Sequence, residues 1–227
     1  MKHTLTPMTR QNITAGIYAE IKRRLMTGGL VPGEVLTLRS ISEMLGVSQT
    51  PVREALLQLV SERMLAMTPG KSVHVPVLDR GRLQDLRDIR LNLEALATER
   101  AVPRITPEEV RQLEALHARM AQAKAAEDME GTLGANYEFH FAVYRAARMP
   151  DLVAIIEGLW AQTGPSLTYL YRRPFVHLEG PHPHLALIDA LRRADTPAAV
   201  AAIRTDVGGY GAAMMARLPV GAQDAAA

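Results

Sequence analysis

Leu38-Arg39-Ser40-Ile41-Ser42-Glu43-Met44-Leu45-Gly46-Val47-Ser48-Gln49-Thr50-Pro51-Val52-Arg53-Glu54-Ala55-Leu56 is the stretch whose reading decides the fold of the front of the chain. Leu38, Ile41 and Leu45 recur at helical spacing and predict a short helix with that face buried. Gly46 supplies a tight turn. Ser48 is placed to cap the next helix, its hydroxyl accepting an N–H left open in the first turn. Pro51 fits that turn, where a missing N–H costs little. Val52, Leu56, Leu59 and Val60 predict the inner face, which leaves Gln49, Thr50 and Arg53 facing out. Helix, glycine turn and polar-fronted helix make the layout of a helix-turn-helix, whose second helix enters the major groove of DNA. The outward set suits a groove, since Gln pairs with adenine, Arg with guanine or phosphate, and Thr with phosphate or a thymine methyl. Arg39 is placed to meet the DNA backbone or a base.

Upstream, Ile13, Ile17, Ile21 and Leu25 form one apolar stripe, and Gly28-Gly29 ends that helix. Leu30-Val31-Pro32-Gly33-Glu34 reads as a turn. Downstream, Met64-Leu65-Ala66-Met67-Thr68 and Ser72-Val73-His74-Val75 flank Pro69-Gly70-Lys71, which predicts a two-stranded hairpin with Lys71 at its tip, in reach of phosphate or the minor groove. Residues 1–78 carry nine Lys/Arg against five Asp/Glu, a net +4, and the rest of the chain nets −2. The offset is small, in the direction of a DNA-facing front end.

The segments Leu30-Val31-Pro32-Gly33-Glu34-Val35-Leu36 and Val47-Ser48-Gln49-Thr50-Pro51-Val52-Arg53-Glu54-Ala55-Leu56 resemble the winged-helix domain of GntR-family bacterial transcription regulators, over about residues 12–76. The resemblance implies that Arg39, Ser48, Gln49, Thr50, Arg53, Gly70 and Lys71 lie at DNA-contacting positions. Gln49 stands where the family usually carries Arg, which removes a charge and opens the base preference there. Glu62-Arg63-Met64 is a second departure, from an acidic residue followed by Gly and Leu.

Of the 227 residues 48% are apolar and 4% aromatic, a mix that favours helix over strand and allows a sizeable core. With no cysteine there is neither disulfide framework nor thiolate metal site. The first ten residues lack the apolar segment of a signal peptide, and no stretch nears the roughly 18 apolar residues of a membrane span. A cytoplasmic protein without membrane contact is the expectation.

Val75-Pro76-Val77-Leu78-Asp79 reads as a linker, and helix follows helix behind it. Leu83, Leu86, Ile89, Leu93 and Leu96 mark the first of these. Thr106-Pro107-Glu108-Glu109 is a helix start, with Leu113, Leu116, Met120 and Ala123 on one face behind it. Further helices are expected over about residues 131–148, 150–172, 182–194 and 197–216. The expected architecture is therefore mostly α: a winged helix-turn-helix at 10–76, a linker at 77–81, an antiparallel bundle of about six helices at 82–217 for ligand binding and dimerisation, and a disordered tail at 218–227.

Asn136 and His140 share one helix face, His184 opens a later helix and Asp206 lies in the last. On spacing alone these read as two ordinary histidines and an Asp bonded to a neighbour. However, Asn136-x-x-Phe139-His140 with His184-x-x-Leu187-Ile188-x-Ala190-Leu191 resembles the FCD ligand-binding domain of the FadR-type GntR subgroup, in which an Asp or Asn and three His hold a divalent metal. The resemblance implies a metal site, or a water-filled polar pocket, at Asn136, His140, His184 and Asp206. Asp206 replaces the third His and restores the charge that Asn136 lacks. Such a mixed set suits zinc first, with nickel or manganese also compatible. His177 and His182 read as loop residues, Pro181-His182-Pro183 being poorly suited to rigid ligation. Arg90 matches an arginine that faces the pocket in this subgroup and implies a small carboxylate effector, the competing reading being a surface Arg–Asp pair. Tyr137, Trp160, Tyr169 and Arg172 are expected to line the cavity or to serve as core or interface.

The reading these features support is a ligand-responsive, DNA-binding transcription regulator. The resemblance adds a homodimer on a two-fold double-stranded operator and repression as the direction. The alternatives are a metal-dependent hydrolase built on His140, His184 and Asp206, or an architectural DNA binder with an inert bundle. Against an enzyme, the chain lacks an H-E-x-x-H pair, a G-x-S-x-G elbow and a P-loop, and shows no general base beside the metal candidates.

Overall fold

A computed structural model describes residues 9–68, 72–171 and 181–218. Helix α1 (Thr9–Met26) comes first, then strand β1 (Val35–Leu36), α2 (Leu38–Leu45), α3 (Gln49–Ser61), β2 (Ala66–Met67) and β3 (Val73–His74). The sheet order is β1-β3-β2, both pairings antiparallel, with Val35 opposite His74 and Met67 opposite Val73. The hairpin was legible in the sequence and β1 was not, because two residues are too few to show alternation. Gly33 reaches φ +85° in the turn before β1. Its N–H donates to Val75 O at 2.9 Å, which ties that turn to the end of β3.

Thr37 caps α2, its Oγ1 accepting the N–H of Ser40 at 3.1 Å, and Gly46 ends it in the left-handed region at φ 66°. Ser48 sits at the cap position of α3 but its side chain makes no capping bond. Its hydroxyl therefore stays exposed instead of closing the helix. The inner face of α3 is Val52, Ala55, Leu56 and Leu59. On α2 the buried residue is Ser42, with Leu38 and Ile41 half-buried, and Leu45 is exposed contrary to expectation. Of the stripe on α1, Ile17, Ile21 and Leu25 are buried and Ile13 is exposed.

Six helices follow: α4 (Arg80–Ala101), α5 (Pro107–Ala125), α6 (Met129–Ala146), α7 (Pro150–Leu167), α8 (Pro183–Arg192) and α9 (Thr196–Met215). Arg80 and Gly81, expected in the linker, are already helical, because Asp79 accepts the N–H of Arg82 at 2.7 Å and so caps α4. The Thr106/Glu109 capping box on α5 forms in full, each side chain accepting the other residue's backbone N–H. α7 carries Pro165 inside its last turn and passes into a 3₁₀ turn at Thr168–Tyr171. Arg172, His177 and the expected disordered tail beyond Leu218 lie outside the described residues.

α4 packs on α9, α6 and α7, α5 on α6 and α8, and α8 on α9. α1 packs on α3 and also on α7, so one apolar core runs from the winged helix into the bundle. The α1–α7 approach is close: a Cβ on Gly164 would lie 2.3 Å from Leu25 O. Lys22 and Glu157 add an ion pair across it at 3.1 Å.

Candidate functional site

The outward side of the first turn of α3 is polar because the buried residues Pro51, Val52, Ala55, Leu56 and Leu59 lie on the other side of the helix. Ser48, Gln49, Thr50 and Arg53 are all exposed. Arg39 is exposed too, and its Nε donates to Glu43 Oε1 at 2.8 Å across one helical turn. An exposed pair of this kind contributes only about 0–1 kcal/mol, so a phosphate can displace Glu43. Gly70 and Lys71 lie outside the described residues; their flanks are joined by Thr68 N donating to Ser72 O at 3.0 Å.

The second polar cluster is buried. His140 on α6, His184 in the first turn of α8 and Asp206 in the middle of α9 converge, exposed by 3%, 0% and 4%. Asp206 Oδ2 lies 2.9 Å from His140 Nε2 and 3.4 Å from His184 Nε2. The two Nε2 atoms are 3.2 Å apart. Donors about 2.0–2.1 Å from a tetrahedral zinc ion lie roughly 3.3 Å from one another, so this spacing fits one face of such a site. Asp206 Oδ1 and His184 Nδ1 are buried with no hydrogen-bond partner. An orphaned buried carboxylate oxygen is costly and calls for a cation or water. The residues present therefore fit a divalent ion.

Electrostatics point the same way. Burial, opposed by Asp206, pushes the His184 imidazole down to about 3. Burial likewise pushes His182 down to about 4. Both rings are neutral at neutral pH, the state a metal requires. For Asp206 burial works against the charge, but hydrogen bonds and charge from His140 and His184 outweigh it and hold the carboxyl far below its ordinary range.

A chain of side chains behind the cluster orients it. Tyr144 OH donates to Glu94 Oε2, so the phenol oxygen is left to accept from His140 Nδ1, 3.0 Å away. The other ring nitrogen, Nε2, faces Asp206 and His184. Burial, and then the Glu94 carboxylate, raises the Tyr144 phenol well above its ordinary value, so it remains a donor. Phe139 stacks on the His184 ring at 3.7 Å and fixes its plane.

Arg90 is on the cavity wall and not in a surface pair. It is buried, and its Nε donates to Glu94 Oε1 at 2.7 Å, its Nη1 to Thr163 Oγ1 at 3.1 Å. Its guanidinium lies 4.7 Å from the Trp160 ring, and Trp160 Nε1 donates to Glu94 at 2.9 Å. Arg90 is thus neither a surface partner of Asp88, which pairs with Arg87, nor an uncompensated cation awaiting a carboxylate.

Arg90, Asn136, His140, Trp160, His182 and Asp206 line one cavity of about 50 Å³. Asn136 is half-buried on its wall, one turn before His140. Among the other expected wall residues, Tyr137 packs on Phe141 at 4.6 Å and Tyr169 is buried in a second apolar cluster. His182 lies just outside α8, as expected of a loop residue, but it caps that helix, its Nδ1 accepting His184 N–H at 3.2 Å, and it faces the cavity. Sequence reasoning also missed Glu94 and Tyr144. Glu94 had a signal, lying one helical turn after Arg90; Tyr144 had none.

Residues 13–75 match the family described as bacterial regulatory proteins, gntR family, and residues 85–208 match the FCD domain. The HTH-type transcriptional regulator McbR of Escherichia coli (strain K12) is 38% identical over 164 residues, covering 72% of this chain and 74% of McbR. The solved structure of E. coli McbR/YncC superposes with a TM-score of 0.85 at 32% identity, over 91% of this chain and 99% of that one. A putative GntR regulator from Rhodococcus sp. RHA1 shares the fold at a TM-score of 0.72 and 20% identity, over 89% of this chain and 97% of that one.

Proposed function

The chain belongs to the GntR family of bacterial regulatory proteins and carries an FCD domain, and on that premise we propose how its two halves work together. It is a ligand-responsive DNA-binding transcription regulator and not an enzyme. In our reading two copies form a homodimer in the cytoplasm and place their α3 helices in successive major grooves of a two-fold operator. Arg53 and Gln49 read base edges, while Arg39, Ser48 and Thr50 hold the phosphates. Seated there, the dimer blocks transcription until its effector arrives.

His140, His184 and Asp206, with Asn136 beside them, would hold a divalent ion, zinc by preference. Such an ion supplies a Lewis-acid anchor for an anionic oxygen. Arg90 is already offset by Glu94, so in this reading the ion attracts the effector's carboxylate and Arg90 contributes a hydrogen bond. A cavity of about 50 Å³ limits that effector to a small organic acid.

One observation carries the coupling between input and output. α7 presents Trp160 to the cavity and Gly164 to Leu25 of α1, and α1 packs against the reading helix α3. An acid that favours one setting of α7 shifts the population of reading-head spacings through α1.

The test is a gel shift on DNA upstream of the chain's own gene and its neighbours. Specific binding that weakens steeply with salt is expected, and Arg53→Ala should weaken it by about 1–3 kcal/mol, roughly 5- to 150-fold. Equal affinity for operator and unrelated DNA, or an unaffected Arg53→Ala, would overturn the assignment of α3.

A further inference from the structure

A second group of imidazoles stands beside the first. His117 of α5, His182 at the cap of α8 and His184 each offer a ring nitrogen within 4.8 Å of the other two. The ring centroids of His117 lie 5.5 Å from His182 and 5.6 Å from His184, and those of His182 and His184 are 4.3 Å apart. His117 and His182 are half-buried and His184 fully buried. The Nδ1 atoms of His117 and His184 are buried and have no hydrogen-bond partner. His182 uses Nδ1 to accept the His184 N–H, so its neutral ring carries the proton on Nε2.

Three imidazoles packed together, two of them with an unpartnered buried nitrogen, are an unusual thing to bury for packing alone. An unsatisfied buried polar atom is costly, and a single divalent ion would satisfy both. Burial lowers the pKa of His117, as it does those of His182 and His184, so none of the rings meets an incoming ion as a cation at neutral pH. The Asp206 carboxylate is near enough to act electrostatically on both His117 and His182, and it would offset part of the ion's charge.

We propose that His117, His182 and His184 form a second site for a zinc-class divalent ion, distinct from the His140–His184–Asp206 set and joined to it through the His184 ring. The donors are Nδ1 of His117, Nδ1 of His184 and Nε2 of His182, the last freed when the His182 ring proton moves from Nε2 to Nδ1 and the bond to the His184 N–H is given up; the all-imidazole set leaves a fourth tetrahedral position open. Ligation draws the donors in from the present spacing, and the half-buried His117 and His182 are the rings with room to turn. With both sites filled, His184 bridges as an imidazolate and its one ring proton passes to solvent. The inference extends the metal reading above and is tested separately from it.

The experiment is zinc binding by full-length protein, stripped with chelator, titrated with zinc alone and counted by elemental analysis after dialysis. The wild type should hold two ions per chain. His117→Ala/His182→Ala should hold one, and Asp206→Ala should hold one. Cobalt substitution should show tetrahedral visible absorption in Asp206→Ala that the double histidine variant changes in intensity or position. Retention of the wild-type count and affinity by the double variant overturns the second site and leaves the first standing. Retention of the wild-type count by Asp206→Ala overturns the first and leaves the second. A wild type that binds no zinc overturns both. The single His117→Gln, a mild change at a half-buried position, should also lose one ion, which guards against misfolding of the double variant.

Discussion

The reading head and the bundle interior treat their polar residues in opposite ways. On α3, Ser48, Gln49, Thr50 and Arg53 are exposed, and the Ser48 side chain does not even cap its own helix. In the bundle, Glu94, His140, His184 and Asp206 are buried, each held by at least one polar neighbour at short range. The first arrangement costs the fold little and leaves its donors to a partner. The second makes the polar cluster part of what holds the bundle together.

Substitutions should separate the two regions. The largest effect is expected at Glu94. Glu94→Ala strands the buried Arg90 and leaves Trp160 Nε1 and Tyr144 OH without their acceptor. Urea unfolding should show a loss of about 3–5 kcal/mol. A loss under about 1 kcal/mol would mean that water reaches Arg90, and the contrast between the regions would fail.

Gly164 tests the link between them. The atom that a new Cβ would meet is backbone, Leu25 O, so neither partner can simply rotate away. Gly164→Ala should lower stability by about 1–3 kcal/mol despite Ala's better helix propensity. It should also alter the response of DNA binding to effector. A stable variant with an unchanged response would remove α7–α1 from the proposed coupling.

Tyr144→Phe keeps the ring and removes the hydroxyl between Glu94 and His140. Loss of an outer hydrogen bond of this type typically weakens metal affinity about 10- to 100-fold. Competition with a chromophoric chelator would read this, and unchanged affinity would show that His140 needs no partner at Nδ1. The smallest effect is expected at Ser48. Ser48→Ala should change stability by less than about 0.5 kcal/mol, whereas Thr37→Ala, which removes a real cap, should cost about 1 kcal/mol. Equal losses at both positions would show that Ser48 caps α3 after all.

The helices were legible wherever a capping residue met an apolar period, as at Thr106–Glu109 and at the glycine turn before α3. Strand β1 was not, because its two residues are defined only by pairing with β3. His140, His184 and Asp206 were legible as a set only through the FCD resemblance, since three residues on three helices carry no common spacing. His117 carried no signal, being a lone histidine on an amphipathic helix. His182 is outside the helices as read, but its place on the cavity wall was not legible, because it depends on how the start of α8 packs.

The sequence by itself determined the winged helix-turn-helix, the helical bundle behind it and the exposed face of α3. Local periodicity, capping and turn chemistry act over a few residues and can be read in one pass. Only the tertiary structure decided that Arg90 belongs to Glu94, that Tyr144 holds the His140 ring at Nδ1, and that α1 touches both the reading helix and the cavity helix. Those facts depend on which helix faces meet across the core, and packing, not spacing along the chain, brings them together.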